Sequence, residues 1–594
     1  MMNGRRSWGR LAFWTMMFFA IYSVGRTWTA SAQEPKPAEA PAAAPVVAEA
    51  PTVAAPADAP SAPAAPANDP TAAPTAPDST GVTYTGASQY TLTGDKNADG
   101  KIVVTLESLA KDVKLQKMNA NIMWTLLAAF LVMFMQAGFA LVETGLTRAK
   151  NVAHTMAMNI VVYAIGMLGF WVCGFAIQMG GLGPILAFDG PNILNKLYTI
   201  TVKGQEVGIF GYKGFFLTGD AYDMSVLTMF VFQMVFMDTA ATIPTGALAE
   251  RWKFSHFMVF GFFLSMFLYP VYGNWVWGGG WLSTLGSKFG IGNGHIDFAG
   301  SSVVHMTGGV TALAGALVLG PRIGKFNKDG SPNAMPGHNI PMVVLGTLIL
   351  AFGWFGFNAG STLAMTDGRI ANVAVTTMLA TAAGTLSSLL YMWIVYGKPD
   401  PTMSCNGLLA GAVAITAPCA FVSPVGAVII GSIAGVLVIW SVLFVEKALK
   451  VDDPVGAISV HGVCGAFGCL ALGLFADGTY GGGLNGVANK TPTGLFYGGG
   501  TSQLLAQTIG VAANILWVFP VAFLFFFISD KTMGIRVTAK AEIEGLDIPE
   551  MGVLGYVNED PITVKVLGDQ HLDTHGPGVP VKLLKNGSAA SKSR

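Results

Sequence analysis

Eleven long apolar segments constrain the fold of this chain more than any other feature of its sequence. Each segment is bounded by glycine, proline or a charged residue. A helix needs about 20 apolar residues to cross the hydrocarbon core of a bilayer. Hydrophobic residues make up 52% of the 594 positions and charged residues only 11%, about half the charge of an ordinary soluble protein. We therefore predict an all-α polytopic membrane protein with eleven transmembrane helices. The segments are 122–145, 151–180, 223–248, 254–276, 299–321, 339–361, 370–396, 404–420, 424–446, 456–477 and 503–529.

The basic residues in the connections between segments predict the orientation in the membrane. If the first segment enters from outside, the internal connections carry Arg148, Lys150, Arg251, Lys253, Arg322, Lys325, Lys328, Lys398, Lys447 and Lys450. The longer external connections carry only Lys196, Lys203, Lys213, Lys288, Arg369 and Lys490. Because cytoplasmic loops carry the excess of Lys and Arg, we expect the amino end outside and a cytoplasmic tail over residues 531–594, in the cell inner (plasma) membrane.

Two motifs with one spacing indicate an internal duplication. His305 follows Asp297 by eight residues, and His461 follows Asp453 by the same distance. In both motifs one glycine lies five residues before the histidine and another lies four after it. The histidines fall in the fifth and tenth segments, so spans one to five match spans six to ten. Five is an odd number, which predicts a five-plus-five inverted repeat, a transporter architecture with its site near the membrane midplane.

The two histidines are candidate functional residues because an ionisable side chain at membrane depth is costly unless it faces a cavity or a partner. A neutral pair of imidazoles can offer one hydrogen-bond donor and one acceptor without placing a charge in hydrocarbon. Two alternatives remain. Each histidine could simply bond a backbone carbonyl in helix packing, or the pair could be the axial ligands of a haem.

Aromatic residues near the predicted outer ends of three segments suggest a site for a small cation. Phe232 and Phe236 are four residues apart and share one helical face. Trp277 precedes three glycines at the end of the fourth segment, and Phe357 and Ser361 end the sixth. Ring faces with one hydroxyl acceptor suit a cation that donates hydrogen bonds. The alternative interpretation is an interfacial aromatic belt or core packing.

The amino-terminal region contains three predicted parts. Arg5, Arg6 and Arg10 precede an apolar run of about 14 residues, and Ala-Ser-Ala32 follows, which predicts a signal peptide over residues 1–32. An uncleaved membrane helix is the alternative, although the run is short for a span. Residues 33–80 are rich in Ala and Pro and are predicted to be a disordered tether outside the cytoplasm. Residues 81–120 would form a small extracytoplasmic segment.

The stretch from Asp95 to Ile102 matches the first half of a calcium-binding loop, with short oxygen side chains at positions 1, 3 and 5 and glycine at position 6. The second half does not match, because position 12 is Leu106 and Glu107 comes one residue late. We interpret the stretch as a turn before a strand over residues 102–106, with calcium binding as the alternative.

Charge and cysteine content argue against several other functions. The chain has 34 basic and 34 acidic residues, so nothing suggests a nucleic-acid partner. The five cysteines have neither the spacing of a zinc site nor that of a disulfide framework, and we interpret them as small buried hydrophobic residues. We expect no metal, no cofactor and no enzymatic activity.

The motifs together resemble the ammonium transporter (Amt) family over about residues 120–550. The matching motifs, in chain order, are Gly-Ala-Leu-Ala-Glu250-Arg251, Trp277-Gly-Gly-Gly, Asp297-Phe-Ala-Gly-x-x-Val-Val-His305, Gly-Trp-Phe-Gly-Phe357-Asn-Ala-Gly-Ser361 and Val-Asp-Asp453-Pro through His461-Gly-Val-Cys-Gly. The presence of Trp277 separates the chain from the related Rh branch, which generally lacks it. By this resemblance, residues 121–530 form an ammonium transporter transmembrane domain.

The resemblance also implies roles for individual residues at the outer mouth. Phe236, Trp277 and Ser361 would form the external ammonium site, with Phe232 as an accessory wall. Phe236 and Phe357 would form a stacked gate below that site.

Further roles follow for the pore and for the partners. His305 and His461 would line a narrow apolar pore, and Asp297 would be the buried acid that organises the site near the mouth. The resemblance further implies a homotrimer in membrane lipid, transport of ammonium or ammonia with methylammonium as an analogue, and regulation by PII-type proteins at the cytoplasmic face. The tail keeps Glu544-Gly-Leu-Asp547 but has Met551-Gly552 where the family usually has His-Gly, which weakens the PII expectation.

These observations predict a transport mechanism and leave one alternative function. We expect ammonium to bind at the aromatic cage and lose its proton, and neutral ammonia to pass the two histidines. The alternative is an ammonium sensor, or transceptor, that uses the transporter fold. Residues 531–594 are too short and too polar for a kinase or cyclase domain, so a sensor would need a separate signalling partner.

Overall fold

The structure is a computed structural model that describes residues 95–96, 102–103, 105–483 and 491–556. The predicted signal peptide (1–32) and tether (33–80) lie outside the described residues. So do residues 97–101 of the predicted turn and the tail beyond Tyr556.

Within the described residues, eleven helices occur where the eleven apolar segments are predicted. We name these helices α1 to α11 in chain order. Their bounds are α1 Leu106–Leu146, α2 Ala149–Met179, α3 Met224–Leu248, α4 Phe254–Trp277, α5 Ser301–Leu319, α6 Ile340–Thr362, α7 Ile370–Tyr396, α8 Pro401–Thr416, α9 Pro424–Lys447, α10 Ile458–Phe475 and α11 Ser502–Met533.

Ten of these helices are long and apolar enough to cross a membrane, which confirms an all-α polytopic membrane protein. The exception is α8, which has 16 residues and ends at Thr416, whereas the sequence predicts an apolar segment up to residue 420. Asp400 caps its amino end by accepting a hydrogen bond from the Thr402 backbone. Most of α8 is buried among the other helices, and the count of eleven spans remains a prediction.

Helix α1 begins 16 residues earlier than the predicted segment that starts at residue 122. Thr105 caps its first turn, where the Thr105 hydroxyl accepts from the Ser108 backbone and the Ser108 hydroxyl accepts from the Thr105 backbone. The predicted strand over residues 102–106 is therefore wrong at its end. Strand β2, Ile102–Val103, pairs antiparallel with β1, Asp95–Lys96, and the chain then enters the helix. Helix α1 is continuous across residues 120 and 121, where the sequence predicts the boundary between the extracytoplasmic segment and the transmembrane domain.

Short elements cover the side of the molecule that carries the carboxyl end of α4. An antiparallel hairpin of β3, Leu197–Val202, and β4, Gln205–Gly211, lies in the connection between α2 and α3. A short helix, Leu285–Phe289, precedes α5. On the opposite side a helix labelled α12, Ala539–Glu544, follows α11.

The two copies of the duplicated motif have the same local structure. Each histidine lies in a π-helical turn at the start of its helix, Ser301–Met306 in α5 and Ile458–Val463 in α10. Asp297 accepts hydrogen bonds from backbone N–H groups of the first turn of α5, and Asp453 does the same for α10. Turns of this kind are rare and frequently occur at functional sites.

Candidate functional site

Five side-chain rings follow one another through the interior of the helix bundle. Phe232 contacts Phe236 with ring centroids 4.6 Å apart, and Phe236 stacks on Phe357 at 4.3 Å. Phe357 stacks in turn on His305 at 5.2 Å, and His305 on His461 at 5.2 Å. All five side chains are buried. We call this series the ring row, and it brings together residues that are up to 229 positions apart in the sequence.

The two histidines contact each other directly. Nδ1 of His305 lies 3.2 Å from Nδ1 of His461. Two imidazole nitrogens can share a hydrogen bond only if one is protonated and the other is not, so a neutral pair adopts opposite tautomers. One Nε2 then carries a hydrogen and the other carries a lone pair. Nε2 of His305 is buried and has no hydrogen-bond partner among the described residues, so it is available to a small polar molecule in the ring row.

Trp277 and Ser361 lie at the end of the ring row that carries Phe236. Trp277 meets Phe236 edge to face at 6.1 Å, and its indole N–H donates to the carbonyl of Asp297 at 2.7 Å. The hydroxyl of Ser361 donates its hydrogen to the carbonyl of Phe357 at 2.8 Å. A hydroxyl that has used its single hydrogen offers only lone pairs to another group, so Ser361 is suited to a ligand that donates.

Asp297 is fully buried and serves as the cap of α5. Its two carboxylate oxygens accept from the backbone N–H groups of residues 300–303 and from the hydroxyl of Ser302, at 2.7–2.9 Å. His295 and Cys469 each place a ligand atom within 4.8 Å of an Asp297 oxygen and of each other, the one such group of three among the described residues. Because Asp297 already accepts five hydrogen bonds, we interpret the group as a helix cap and not as a metal site. Burial lowers the pKa of His295 to about 4.

Two rings of the site are absent from the sequence-based prediction. Trp354 stacks on His305 at 5.4 Å, and Phe139 lies 6.1 Å from His461. Trp354 occurs in the same Gly-Trp-Phe-Gly-Phe motif as Phe357, and this shared motif is the signal that could have identified it. Phe139 lies on α1, and no sequence signal distinguishes it from its apolar neighbours.

A buried polar group near His461 is also absent from that prediction. Glu143, near the carboxyl end of α1, accepts from the side-chain amide of Asn159 at 2.8 Å and lies within hydrogen-bond distance of the Thr245 hydroxyl. A small cavity, about 20 Å³ in volume, lies between Glu143 and His461. The remaining lining residues are Phe139, Val142, Ile243, Leu350, Asn406, Leu409, Val455, Ala457 and Val460. A cavity of this size has room for about one water-sized molecule.

A buried charge network lies on the side of the molecule opposite Trp277. Arg322 donates to both carboxylate oxygens of Asp452, at 2.8 and 2.9 Å, and to Glu250 at 2.7 Å. Arg148 contacts the other oxygen of Glu250. Burial alone would raise the pKa of Asp452, but the charges of Arg251 and Arg322 and the bonds from Arg322 hold it well below its usual range. This network joins the connections α1–α2, α3–α4, α5–α6 and α9–α10.

The geometry of the two histidines argues against haem ligation. A haem iron held by two histidines requires a porphyrin between the imidazole rings. His305 and His461 instead contact each other directly through their Nδ1 atoms.

The five cysteines are free thiols, of which Cys173 is partly exposed and the other four are buried.

Comparisons with known proteins find ammonium transporters over most of the chain. The sequence model of the Ammonium Transporter Family matches residues 123–556. Ammonium transporter Amt2 of Archaeoglobus fulgidus is 46% identical over 444 residues, which cover 74% of this chain and 89% of that protein. Ammonium transporter Amt1 of Haloferax mediterranei is 36% identical, covering 75% of this chain and 81% of that protein.

Solved structures of related proteins have the same fold. A structure described as a sensor Amt protein is 37% identical, with a TM-score of 0.64, and covers 74% of this chain and 100% of that chain. The crystal structure of Candida albicans Mep2 is 27% identical, with a TM-score of 0.59, and covers 71% of this chain and 86% of that chain. The resemblance predicted from the motifs is therefore confirmed: this multi-pass membrane protein belongs to the ammonium transporter family.

Proposed function

We propose that the protein takes up ammonium at the Trp277 end of the ring row and conducts it as ammonia past His305 and His461. The observation that carries this proposal is the unbroken series of ring contacts from Trp277 through Phe236 and Phe357 to the histidine pair. In this mechanism Phe236 and Phe357 act as a gate. The phenyl group of Phe232 is an accessory wall, and Asp297 positions the mouth by capping α5.

Recruitment at the outer end depends on ring faces and one oxygen. The indole N–H of Trp277 is occupied by the Asp297 carbonyl, so what Trp277 offers a cation is its aromatic face. A cation over such a face gains up to about 2 kcal/mol or more when desolvated. The Ser361 hydroxyl adds an acceptor for an N–H donor, which ammonium and methylammonium both possess.

The charge must leave before the permeant passes the gate. An isolated ion in a low-dielectric interior faces a penalty on the order of tens of kcal/mol, and one aromatic cage cannot offset it. Burial can depress the pKa of an amine by roughly 3–5 units. Ammonium that loses its water shell at Phe236 would therefore release a proton near neutral pH. Potassium has no proton to lose, so the same route excludes it.

The histidine pair would then guide neutral ammonia. With opposite tautomers, one Nε2 donates to the lone pair of ammonia and the other accepts from its N–H. The unpartnered Nε2 of His305 supports this role, because a buried polar atom without a partner is costly and a passing ammonia would satisfy it. Both rings can act in this way without carrying a charge.

Single histidine substitutions test the proposal. His305→Ala or His461→Ala should abolish methylammonium uptake into proteoliposomes while the protein still assembles. His256→Ala is the matched control, because His256 is equally buried but bonds Trp252 away from the ring row. Uptake that persists in both pore variants, or falls equally in the control, would refute this route.

The sensor function remains the alternative, supported by the 37% identity to the structure described as a sensor Amt protein. A sensor would bind ammonium at Trp277 and Phe236 but would show no sustained flux. Ammonium binding measured by calorimetry together with absent uptake would favour it over transport.

The cellular setting belongs to the same proposal. We expect a homotrimer in the plasma membrane, with the amino end outside and the tail inside. A cleaved signal peptide would export the amino end. PII-type proteins would act at the cytoplasmic face, although Met551 occupies the usual histidine position in the tail.

A further inference from the structure

We propose that Glu143 is the proton-exchange residue at the inner end of the ring row, where ammonia that has passed His461 regains a proton. This inference rests on the proposed function and adds a named acid to it. The observation behind it is a carboxyl group that lines the same small cavity as His461.

The position of Glu143 links it to the pore. Its side chain is 3% exposed and lies in the last turn of α1, on the side of the molecule opposite Trp277. A buried ionisable side chain in a membrane-spanning helix rarely persists without a partner or a cavity. Gly246 on α3 provides room for the carboxyl group, because a Cβ there would approach the Glu143 carboxyl carbon to 3.3 Å.

The neighbours of Glu143 can accommodate both of its protonation states. Thr245 Oγ1 lies 2.8 and 2.9 Å from the two carboxyl oxygens and also contacts the carbonyl of Thr242. When Glu143 is ionised, the Thr245 hydroxyl donates to it. When Glu143 is protonated, Glu143 donates to Thr245, whose hydrogen turns to the Thr242 carbonyl. The amide of Asn159 donates to Oε2 in the ionised state.

Two titratable groups face Glu143 from other elements. His461 lines the opposite wall of the cavity on α10. Asp453, in the connection before α10, is the second titratable neighbour of Glu143. Because Thr245 and Asn159 accommodate either protonation state, Glu143 can hold a proton that a base entering the cavity can remove.

The proposed step conserves atoms and charge. Ammonia leaving His461 enters the cavity, its lone pair takes the carboxyl hydrogen, the O–H bond of Glu143 breaks and an N–H bond forms. The products are ammonium and the Glu143 carboxylate, which hold each other as an ion pair until ammonium departs to water. The carboxylate then accepts a proton from a hydronium ion of the inner solution. In the outward direction each step runs in reverse.

Methylammonium uptake into proteoliposomes, measured as a function of luminal pH at fixed external pH, tests this inference. Uptake by the wild type should vary with luminal pH along the titration curve of a single group. Glu143→Gln should lower uptake about 100-fold, the lower end of what a positioned acid or base contributes, and should flatten the luminal pH profile. His256→Ala removes a buried ionisable residue that bonds Trp252 away from this cavity, and it should keep the wild-type profile.

Glu143→Asp separates proton exchange from packing. It retains the acid one methylene further from the cavity, so uptake should persist with a shifted midpoint, even if the Gln variant fails to fold. A Gln variant with the wild-type profile would overturn the inference. So would an Asp variant that is inactive or unshifted, or a His256→Ala profile as flat as that of Glu143→Gln.

The His305→Ala and His461→Ala variants, measured in the same assay, distinguish the two proposals. If these variants transport normally, the proposed route itself fails. If they are inactive while Glu143→Gln behaves as wild type, only the role of Glu143 is wrong.

Discussion

Phe236 lies between three aromatic side chains, whose contacts restrict the positions open to its ring. Phe232 and Phe357 approach it to 4.6 and 4.3 Å, and Trp277 meets it edge to face. Each such aromatic pair contributes roughly 0.5–1.5 kcal/mol beyond the burial of area. If Phe236 and Phe357 form the proposed gate, these contacts hold it closed in this structure.

Replacing Phe236 by Ala should change selectivity as well as stability. Loss of a buried phenylalanine side chain costs about 3–5 kcal/mol, and here it also opens the row between Trp277 and Phe357. We expect the variant to lose discrimination between ammonium and potassium, measured as current in proteoliposomes.

Phe230→Ala is the matched control on the same helix. Phe230 is also buried and stacks on Phe170, outside the ring row. It should lower thermal stability by a similar amount and keep selectivity. If Phe236→Ala and Phe230→Ala discriminated equally between ammonium and potassium, Phe236 would not act as a gate.

The residue motifs predicted the contacts of the site well, but they could not predict its full lining. The sequence placed Phe236 against Phe357 and His305 near His461, and both contacts are present. Their roles remain predictions. Glu143 was missed because a single carboxylate near the end of an apolar segment usually marks where a span ends. Only the packing of α1 against α3 and α10 shows that its side chain lines a cavity.

At the scale of elements, α5 and α10 approach each other at two glycines. A Cβ at Gly309 would lie 2.2 Å from the backbone nitrogen of Gly462. These glycines lie four residues after His305 and one after His461. The contact between the histidines therefore depends on backbones that only glycine allows to come this close.

Gly309→Ala should separate the two helices and disrupt the histidine pair. Overpacking a tight interface costs typically about 1–3 kcal/mol, and we expect uptake of methylammonium to fall in parallel. Gly368→Ala is the control, since no atom of the described residues lies within 4 Å of a Cβ at that position. Normal uptake in Gly309→Ala would show that the close approach is not required.

Several element boundaries could not be read from hydropathy. The first 16 residues of α1 are too polar to be detected as apolar, and the cap at Thr105 defines the start of the helix. The π-helical turns at His305 and His461 follow the Asp caps in both copies, and the sequence spacing alone does not reveal them. The short α8 shows the reverse case, where an apolar run extends beyond its helix.

At the scale of the whole molecule, the buried charges around Arg322 hold four connections together on one side. The tail joins the same region, because Glu542 pairs with Arg536 and accepts from the Ile323 backbone at 2.6 Å. Asp547 accepts from the His154 backbone at 3.0 Å. Changes in the tail can therefore be transmitted to the ends of α2 and α5.

Asp452→Asn should destabilise the molecule by about 3–5 kcal/mol, because it removes one of the two carboxylates that pair with the buried Arg322 guanidinium. The pKa of Asp452 is held below its ordinary value of 3.8, so its contribution is present above that pH and is lost as the pH falls below it. Thermal unfolding in detergent should show a large difference from wild type at about pH 7 that shrinks toward about pH 3.

The control for this prediction is Asp329→Asn. Asp329 is fully exposed in a loop, and its substitution should leave the unfolding temperature close to that of the wild type. If the stability difference between the wild type and Asp452→Asn grew as the pH fell, the prediction that Asp452 stabilises the fold in its ionised form would be wrong.

The proposed passage through this molecule runs along the contacting pair His305 and His461. Solid-supported membrane electrophysiology on proteoliposomes, combined with methylammonium uptake, is the experiment that decides whether it does. Wild type should respond to ammonium and not to potassium, and the double variant His305→Ala with His461→Ala should lose both current and uptake while remaining assembled. Undiminished, ammonium-selective transport in that double variant would show that the permeant does not pass the histidine pair.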